Sequence, residues 1–341
     1  MQKKLLTVVV AGAFAMPAAA LAQVTVFGTI DGGIRNQSKA QVVGGDESNL
    51  VVTDGLRTTN RLGFRGSEDL GGGLMANFWM EGQHASDTGA TAINTARKSI
   101  VGLSKGGMSL DIGRDYTVNF KTQGIYDPMS YTYTGITPAA GTNTAGVRFS
   151  NLVTAGFRFG PGGIRVDYTT GGGQNPDGLP GDDTGDGFGI NGDFAFGPVT
   201  LAAAFSSVEA DNIGNGSDTT NVGAAYKMGA FTFRAGWSNT ENDATTVETP
   251  LWMLGVQYAI SPTLNFRFGY YNMETETAGV TGQERKQMIA ALDYSLSKRT
   301  IAYVAYDRLD LNTGTVNLSG AQSGPLLDGA AGISVGIAHS F

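Results

Sequence analysis

The sequence predicts an all-β protein: a 16-stranded antiparallel transmembrane β-barrel that encloses a water-filled passage. Three observations carry the barrel prediction. Apolar side chains alternate with polar or small ones over segments of about 9–12 residues, the length of a tilted transmembrane strand. The connections alternate between tight turns and long loops. The chain ends on a strand whose last residue is the aromatic Phe341.

The composition narrows the chemistry that the protein can perform. Of 341 residues, 51 are glycine, none is cysteine and two are histidine, while 41% are hydrophobic and 16% are charged. The hydrophobic content is too high for a disordered chain. The lack of cysteine excludes a disulfide scaffold, a thiolate metal site and a cysteine nucleophile. We therefore expect a β-rich fold without a cofactor or a metal.

Residues 1–22 have the organisation of a secretory signal peptide. Lys3 and Lys4 precede an apolar stretch at 5–15, and Ala20 and Ala22 form an A-x-A cleavage site. A membrane anchor is the alternative, but the apolar stretch is too short for it. Cleavage leaves residues 23–341 as a single barrel domain. Without the two lysines, 21 bases stand against 30 acids, a net charge of −9 that argues against a nucleic-acid partner.

The alternation is clearest in the last segment. Ile333, Val335 and Ile337 share one face, and Ser334 and Gly336 share the other. A soluble sandwich would bury the apolar face, whereas a transmembrane barrel would turn it towards lipid. No segment of the mature chain reaches 18 consecutive apolar residues, so a transmembrane helix is not expected. Segment length, the rhythm of the connections and the terminal aromatic residue favour the barrel.

The pattern predicts sixteen strands. They are placed at 24–35, 56–68, 73–84, 95–104, 108–115, 145–159, 163–171, 187–197, 198–208, 220–229, 230–240, 250–260, 264–274, 285–296, 299–309 and 330–341. The sixth loses its alternation at Asn151. Long connections are predicted at 36–55, 116–144, 171–186, 211–219 and 310–329. Three tryptophans, Trp79, Trp237 and Trp252, are expected in the aromatic girdles at the membrane surfaces.

Several motifs give the sequence a family resemblance along its whole length. Arg61-Leu-Gly-Phe-Arg-Gly-Ser-Glu-Asp-Leu-Gly follows an opening Val24-Thr-Val-Phe-Gly-Thr-Ile-Asp-Gly-Gly, and the chain closes on Val335-Gly-Ile-Ala-His-Ser-Phe. The sequence resembles the Gram-negative general diffusion porins, particularly the beta-proteobacterial type. The resemblance implies a homotrimer in the outer membrane, in contact with lipid and lipopolysaccharide. It also implies a constriction loop at about 116–144 that folds into the barrel, and an assembly signal at Phe341.

Alternation within the predicted strands places three basic side chains in the lumen. Arg57, Arg61 and Arg65 share the face opposite Leu62 and Phe64, and Arg148 has lumenal parity if its strand starts near 145.

The resemblance adds the remaining site residues. It puts Arg97 inside together with Ser99, and it matches Arg61 and Arg97 to the basic wall of the constriction. Asp127, with Asp115, would be the acidic side of the loop. The sequence departs from the family in two places: Tyr131 stands where a second carboxylate is usual, and Thr142 stands near the third wall arginine, which Arg148 replaces approximately.

These residues predict a passive channel for ions and small hydrophilic solutes with a weak preference for anions, and no enzyme activity. Three alternatives remain open. The lumen arginines could make the pore specific for phosphate or organic acids. A barrel enzyme such as a lipase would need a converged Ser/His/acid set. A secreted soluble β-sheet protein would not need detergent.

Overall fold

The computed structural model describes residues 24–42, 45–89, 94–133, 136–137, 147–170, 185–209, 216–243, 245–315 and 326–341. In these residues one antiparallel sheet closes on itself, because the first strand pairs with the last from Thr29↔Ser340 to Gln37↔Gly332. The predicted signal peptide at 1–22 and the position of Thr142 lie outside the described residues.

The described residues form eighteen strands, all in one sheet, and one helix. The strands are β1 (Thr25–Val42), β2 (Gly45–Asp54), β3 (Arg61–Gly71), β4 (Leu74–Gln83), β5 (Asn94–Lys105), β6 (Met108–Tyr116), β7 (Arg148–Phe159), β8 (Gly162–Thr170), β9 (Asp186–Phe196), β10 (Val199–Val208), β11 (Ser217–Met228), β12 (Phe231–Asn242), β13 (Val247–Glu248), β14 (Leu251–Ala259), β15 (Leu264–Thr277), β16 (Val280–Ser295), β17 (Thr300–Leu311) and β18 (Ala330–Ser340), and the helix is α1 (Val118–Tyr126).

Sixteen of the strands form the wall of the barrel, as predicted. The other two, β2 and β13, lengthen it at one end: β1 pairs with β3 at residues 25–29 and with β2 beyond, and β13 lies between β12 and β15. We call this the loop end, and the end with the tight turns the turn end. At the turn between β5 and β6, Gly106 and Gly107 have φ of +58° and +86°, which a two-residue hairpin turn requires.

The predicted long connection at 36–55 is wrong. Most of it is the hairpin of β1 and β2, in which Gln37 pairs with Asn49 and Ile34 with Val52. Polar residues and glycine dominate residues 36–49 and hid the strand from the sequence analysis. The predicted loss of alternation at Asn151 corresponds to a register shift in β7, where Asn151 has a φ of +52°.

The outer surface of the wall is apolar. Val101, Leu103 and Val335 are exposed to between 43% and 61% on this face. Charged side chains such as Glu81, Arg97 and Asp167 point inward, the arrangement of a barrel in lipid. Trp237 and Trp252 face outward as paired neighbours. Trp79 does not belong to a girdle, because it shares the inward face with Glu81 and contacts Phe27 across the lumen wall.

The connection between β6 and β7 enters the barrel and contains α1, which the sequence analysis did not predict. We call residues 117–147 the inner loop. Thr117 caps the helix, because its Oγ1 accepts a hydrogen bond from the Phe120 N–H at 3.2 Å. Among the described residues, no helix is long and apolar enough to cross a bilayer.

Candidate functional site

The inner loop lies against one half of the inner wall. The Asp167 carboxylate of β8 accepts a hydrogen bond from the Val118 N–H at 2.8 Å, which holds the start of α1 on the wall. Farther along, Gln257 donates to the Pro128 carbonyl at 3.0 Å. Tyr126, Met129, Tyr133 and Ile136 of the loop are fully buried in a cluster with apolar side chains of β10 and β14–β18. The open passage is therefore displaced towards β3–β8.

Helix α1 separates a wall face from a passage face. Val118, Asn119, Thr122, Gln123 and Tyr126 are buried against the barrel. Phe120, Lys121, Gly124 and Ile125 instead line the passage, as the 3.6-residue period requires. The passage on this side is a cavity of about 940 Å³. Seven basic and four acidic side chains line it: Arg61, Arg97, Lys98, Lys121, Arg148, Arg158 and Arg165, with Asp54, Asp111, Asp115 and Asp193.

Arg61 stands where this cavity meets a second one. The second cavity, of about 400 Å³, lies towards the turn end, and Thr58, Arg61 and Tyr131 line both cavities. The structure places Arg61 in the lumen, where the two cavities meet. Across the junction the inner loop presents Tyr131, an uncharged side chain. Arg61 makes no ion pair with the described residues.

Arg97 lies inside the passage, but Ser99 does not. A register shift between Glu81 and Gln83 breaks the alternation of β5, so that Ser99 pairs with Met80 on the outer face while Arg97 still turns inward. Arg97 donates to Glu81 Oε1 at 2.7 Å and to the Tyr116 hydroxyl at 2.9 Å. The prediction of an inward Ser99 is wrong because β5 has four residue steps from Asn94 to Lys98 where β4 has two from Gln83 to Glu81.

Arg148, the first residue of β7, is held in the passage by an aromatic stack. Its guanidinium lies 4.2 Å from the centre of the Tyr116 ring and donates to the Tyr116 hydroxyl at 2.7 Å. Tyr116 stacks on Phe120 at 4.7 Å, and Phe120 stacks on Tyr131 at 4.2 Å. Among the described residues Arg148 has no carboxylate partner, so its charge remains available to the passage.

Arg57 is lumenal, but it does not belong to a strand. Its segment precedes β3 and is held by the Asp31 carboxylate, which accepts from the backbone N–H groups of Arg57 and Thr58 at 2.7 and 2.8 Å. The guanidinium binds both oxygens of Asp293 at 3.1 Å, and Asp293 also binds Arg267 at 3.0 Å. Arg57 thus contributes a neutralised charge to the passage.

Arg65 has inward parity in β3, as predicted, but it belongs to the lining of neither cavity. Its guanidinium stands over the rings of Phe27 and Trp79 at 5.2 and 5.1 Å. This packing gives Arg65 a cation–π contact with the wall. The structure does not bring it to the junction at Arg61.

The two acidic residues do not face the basic wall across the passage. Asp127 is 0% exposed, and its carboxylate accepts from the Tyr271 hydroxyl and the Tyr131 N–H, both at 2.7 Å. Burial raises the pKa of the Asp127 carboxyl above its usual range. Asp115 belongs to β6 rather than to the loop, and it binds Lys98 and Lys121 at 3.0 and 2.9 Å.

Sequence analysis missed several charged residues of the passage. Lys98 and Glu81 share the inward face through their cross-strand pairing, and Arg158 binds Asp193 at 2.8 Å. Arg234 of β12 donates to the Ile125 carbonyl of the inner loop at 3.2 Å. The inward parity of Arg234 between Phe233 and Ala235 was visible in the sequence. The pairing of Glu81 with Lys98 depends on a register that the sequence does not show.

Comparison with known proteins identifies the family of this barrel. A family model described as Gram-negative porin matches residues 6–314. The chain belongs to the Gram-negative porins. Outer membrane porin protein 32 of Delftia acidovorans is 29% identical over 376 aligned positions that cover all of both chains. The major outer membrane protein P.IB of Neisseria meningitidis serogroup B is 36% identical over 115 residues, a third of each chain.

Solved structures of porins share the fold. The anion-selective porin from Comamonas acidovorans superposes with a TM-score of 0.80 at 26% identity, covering 94% of this chain and 100% of that one. The in-vitro folded trimer form of OmpT from Vibrio cholerae has a TM-score of 0.72 at 13% identity, over 94% of this chain and 99% of that one, which supports the fold alone. This porin is an outer-membrane protein whose barrel admits ions and small hydrophilic solutes by passive diffusion.

Proposed function

We propose that this porin is a weakly anion-selective general diffusion channel and that Arg61 and Arg148 contribute most to the preference. Arg97 contributes less because Glu81 lies beside it. Arg57 and Arg65 line the lumen without facing the junction. Phe341 serves as the assembly signal. Ions and small hydrophilic solutes contact the lumen only transiently as they permeate. We expect the protein to have no enzyme activity.

One observation supports this proposal most directly. Within 116–144, Asp127 is the only acidic residue of the sequence, and its carboxylate is buried against Tyr271. The basic wall therefore has no carboxylate opposite it on the inner loop. An uncompensated positive charge in a narrow, low-dielectric passage attracts anions and repels cations.

The acidic net charge of the chain does not oppose this proposal. Four of the 30 acids lie in the predicted outer connection at 171–186. At physiological ionic strength the Debye length is about 8 Å, so charges in outer loops act weakly on a site inside the barrel. The local charges of the passage then decide the selectivity.

The deciding experiment is the reversal potential of purified protein in a planar bilayer under a potassium chloride gradient. We expect a reversal potential shifted towards the chloride equilibrium potential. A shift towards the potassium equilibrium potential would refute anion selectivity, although the porin assignment would stand.

A solute-specific porin for phosphate or organic acids is the alternative. Arg61 and Arg148 have no carboxylate partner among the described residues, so both can bind an anionic solute in the lumen. This observation favours a solute-specific porin over a soluble binding protein or an enzyme. A specific pore would show chloride current blocked by millimolar phosphate or succinate with saturation. A general pore would show conductance that rises in proportion to salt.

The oligomer is proposed as a homotrimer in contact with outer-membrane lipid and lipopolysaccharide. The OmpT structure of Vibrio cholerae is described as a trimer form, which supports the same state for this chain. Mass determination of the detergent-solubilised protein tests it, with three chains per particle expected.

A further inference from the structure

The second cavity has a composition unlike that of the first. Its volume is about 400 Å³, and it lies between the inner loop, β1, β17 and β18 at the turn end. None of the side chains that line it is acidic. Four are basic: Arg57, Arg61, Lys298 and Arg299. The first cavity, in contrast, contains four carboxylates among its lining.

Three of the four bases are available to a solute. Arg57 is bound to Asp293, whereas Arg61, Lys298 and Arg299 form no ion pair with the described residues. Lys298 and Arg299 belong to the exposed turn between β16 and β17. The Arg299 carbonyl accepts from the Ser340 N–H at 2.8 Å, which fixes this turn beside the last strand.

Hydroxyl groups complete the lining. The Thr29 and Ser340 hydroxyls lie 3.1 Å apart on the wall of this cavity. Ammonium, guanidinium and hydroxyl groups together offer several donors to one anion. Such a donor set suits an oxyanion with many acceptor oxygens better than it suits chloride, because guanidinium binds planar or tetrahedral oxyanions through two parallel hydrogen bonds.

We propose that this cavity is a second anion site, on the turn side of Arg61, that binds multivalent oxyanions of the phosphate and pyrophosphate class through Arg61, Lys298 and Arg299. This inference rests on the proposed anion passage, because Thr58, Arg61 and Tyr131 line both cavities and connect the second cavity to that passage. It adds a holding position between the junction and the turn-end mouth.

The chain contains no cysteine, so a single thiol can report on this cavity. Ser340→Cys places it on the lining beside the turn that carries Lys298 and Arg299. The rate of modification by an anionic, sulfonate-bearing methanethiosulfonate is compared with the rate for a trimethylammonium-bearing one, in detergent-solubilised protein. Added pyrophosphate tests protection of the thiol. Heat-modifiable electrophoretic mobility verifies that each variant forms the barrel.

We expect the anionic reagent to react faster, and pyrophosphate to slow both reagents. Lys298→Gln with Arg299→Gln should lower the ratio of the two rates about 5- to 20-fold and weaken protection by a similar factor, from about 2- to 5-fold per partly exposed charge. The matched control is Lys105→Gln with Lys227→Gln, which removes two exposed charges from other turns of the same end.

Two results would overturn the site. One is a rate ratio and a pyrophosphate protection that the Lys298 and Arg299 substitutions leave unchanged. The other is an equal loss in the control variant, which would show only the general field of the turn end. Failure of the proposed anion selectivity is distinguishable, because it is measured as the reversal potential of the unsubstituted protein.

Discussion

Arg61 and Arg97 both reach the passage, but their electrostatic surroundings differ. Glu81 lies 2.7 Å from Arg97 and cancels much of its field, whereas Arg61 has no carboxylate partner among the described residues. Arg148 resembles Arg61 in this respect, because its contacts are with the Tyr116 ring and hydroxyl. The number of arginines in a passage therefore does not measure the charge that a permeating ion meets.

Substitution of these residues should separate the paired from the unpaired charges. We expect Arg61→Gln and Arg148→Gln each to lower the anion-to-cation permeability ratio up to about fivefold, since a unit charge at 4 Å in water acts with about 1 kcal/mol. Arg97→Gln should change it less. Glu81→Gln should raise the ratio, because it exposes the charge of Arg97. Reversal potentials measure all four variants, and an Arg97 effect equal to that of Arg61 would contradict this account.

Asp127 predicts a dependence of stability on pH. Burial raises its pKa in the folded barrel above the unfolded value of 3.8, and the hydrogen bonds from the Tyr131 N–H and the Tyr271 hydroxyl, with Arg234, oppose this shift only in part. A raised carboxyl pKa contributes stability below the unfolded pKa, and this contribution is lost as the pH rises through the folded pKa. Asp127→Asn should remove this loss of stability at higher pH, because an amide does not ionise.

The measurement is the heating midpoint of barrel unfolding on gels at several pH values. The midpoint of the parent should fall relative to that of Asp127→Asn by a few degrees as the pH rises from 4 towards neutrality. A difference between the two heating midpoints that is the same at every pH would come from the altered hydrogen bond to the Tyr131 N–H. Two parallel curves across this range would refute the role of burial.

Helix α1 lies close to the wall because two glycines leave room for Tyr126. A side chain at Gly223 of β11 or at Gly236 of β12 would collide with the Tyr126 ring. These neighbouring positions pair across the two strands. The position of the inner loop therefore requires residues without a side chain at Gly223 and Gly236. The width of the passage beside β3–β8 depends on the same two glycines.

Gly236→Val should therefore push α1 into the passage and lower the single-channel conductance. Gly192→Ala, on β9, is a control for the loss of a glycine alone, since an added Cβ there would find its nearest atom, the Gly163 carbonyl oxygen, at 3.9 Å. Bilayer recordings compare the two variants. Unchanged conductance in Gly236→Val would show that Tyr126 does not determine the width.

The elements show which local structure the sequence could predict. Strand alternation identified the inward side chains of Arg61 and Arg65, because β3 keeps its register across them. It failed at Ser99, where a bulge opposite Glu81 shifts the parity. It also missed α1, since a helix buried on a polar wall carries Asn119, Thr122 and Gln123 on its buried face and has no apolar stripe.

At the scale of the whole molecule, the apolar part of the inner loop and the basic wall of the first cavity lie on opposite sides. The apolar residues of the inner loop occupy the β14–β18 side, and the basic wall residues of the first cavity lie on the β3–β8 side. Sequence alone predicted the barrel and its basic lumen. It could not predict the partners of these charges, because Arg57 and Asp293 are 236 residues apart and meet only when the barrel closes.

Selectivity that arises from such a wall should depend strongly on salt. The Debye length falls from about 10 Å at 0.1 M to about 3 Å at 1 M, so added ions screen the wall charges from a permeating solute. We expect the anion-to-cation permeability ratio to approach one as the salt concentration rises over this range. A ratio that stays constant would indicate discrimination by size or by direct binding instead.

The pairing of β1 with β18 makes the first and the last described strands neighbours. The Gly28 and Phe341 backbones exchange two hydrogen bonds, of 3.1 and 3.2 Å, at the very end of the chain. Without this final strand, the β1 and β17 edges would carry unsatisfied amide groups into hydrocarbon, at several kcal/mol for each. A chain that lacks β18 therefore cannot close, and no bilayer can accommodate its two open edges.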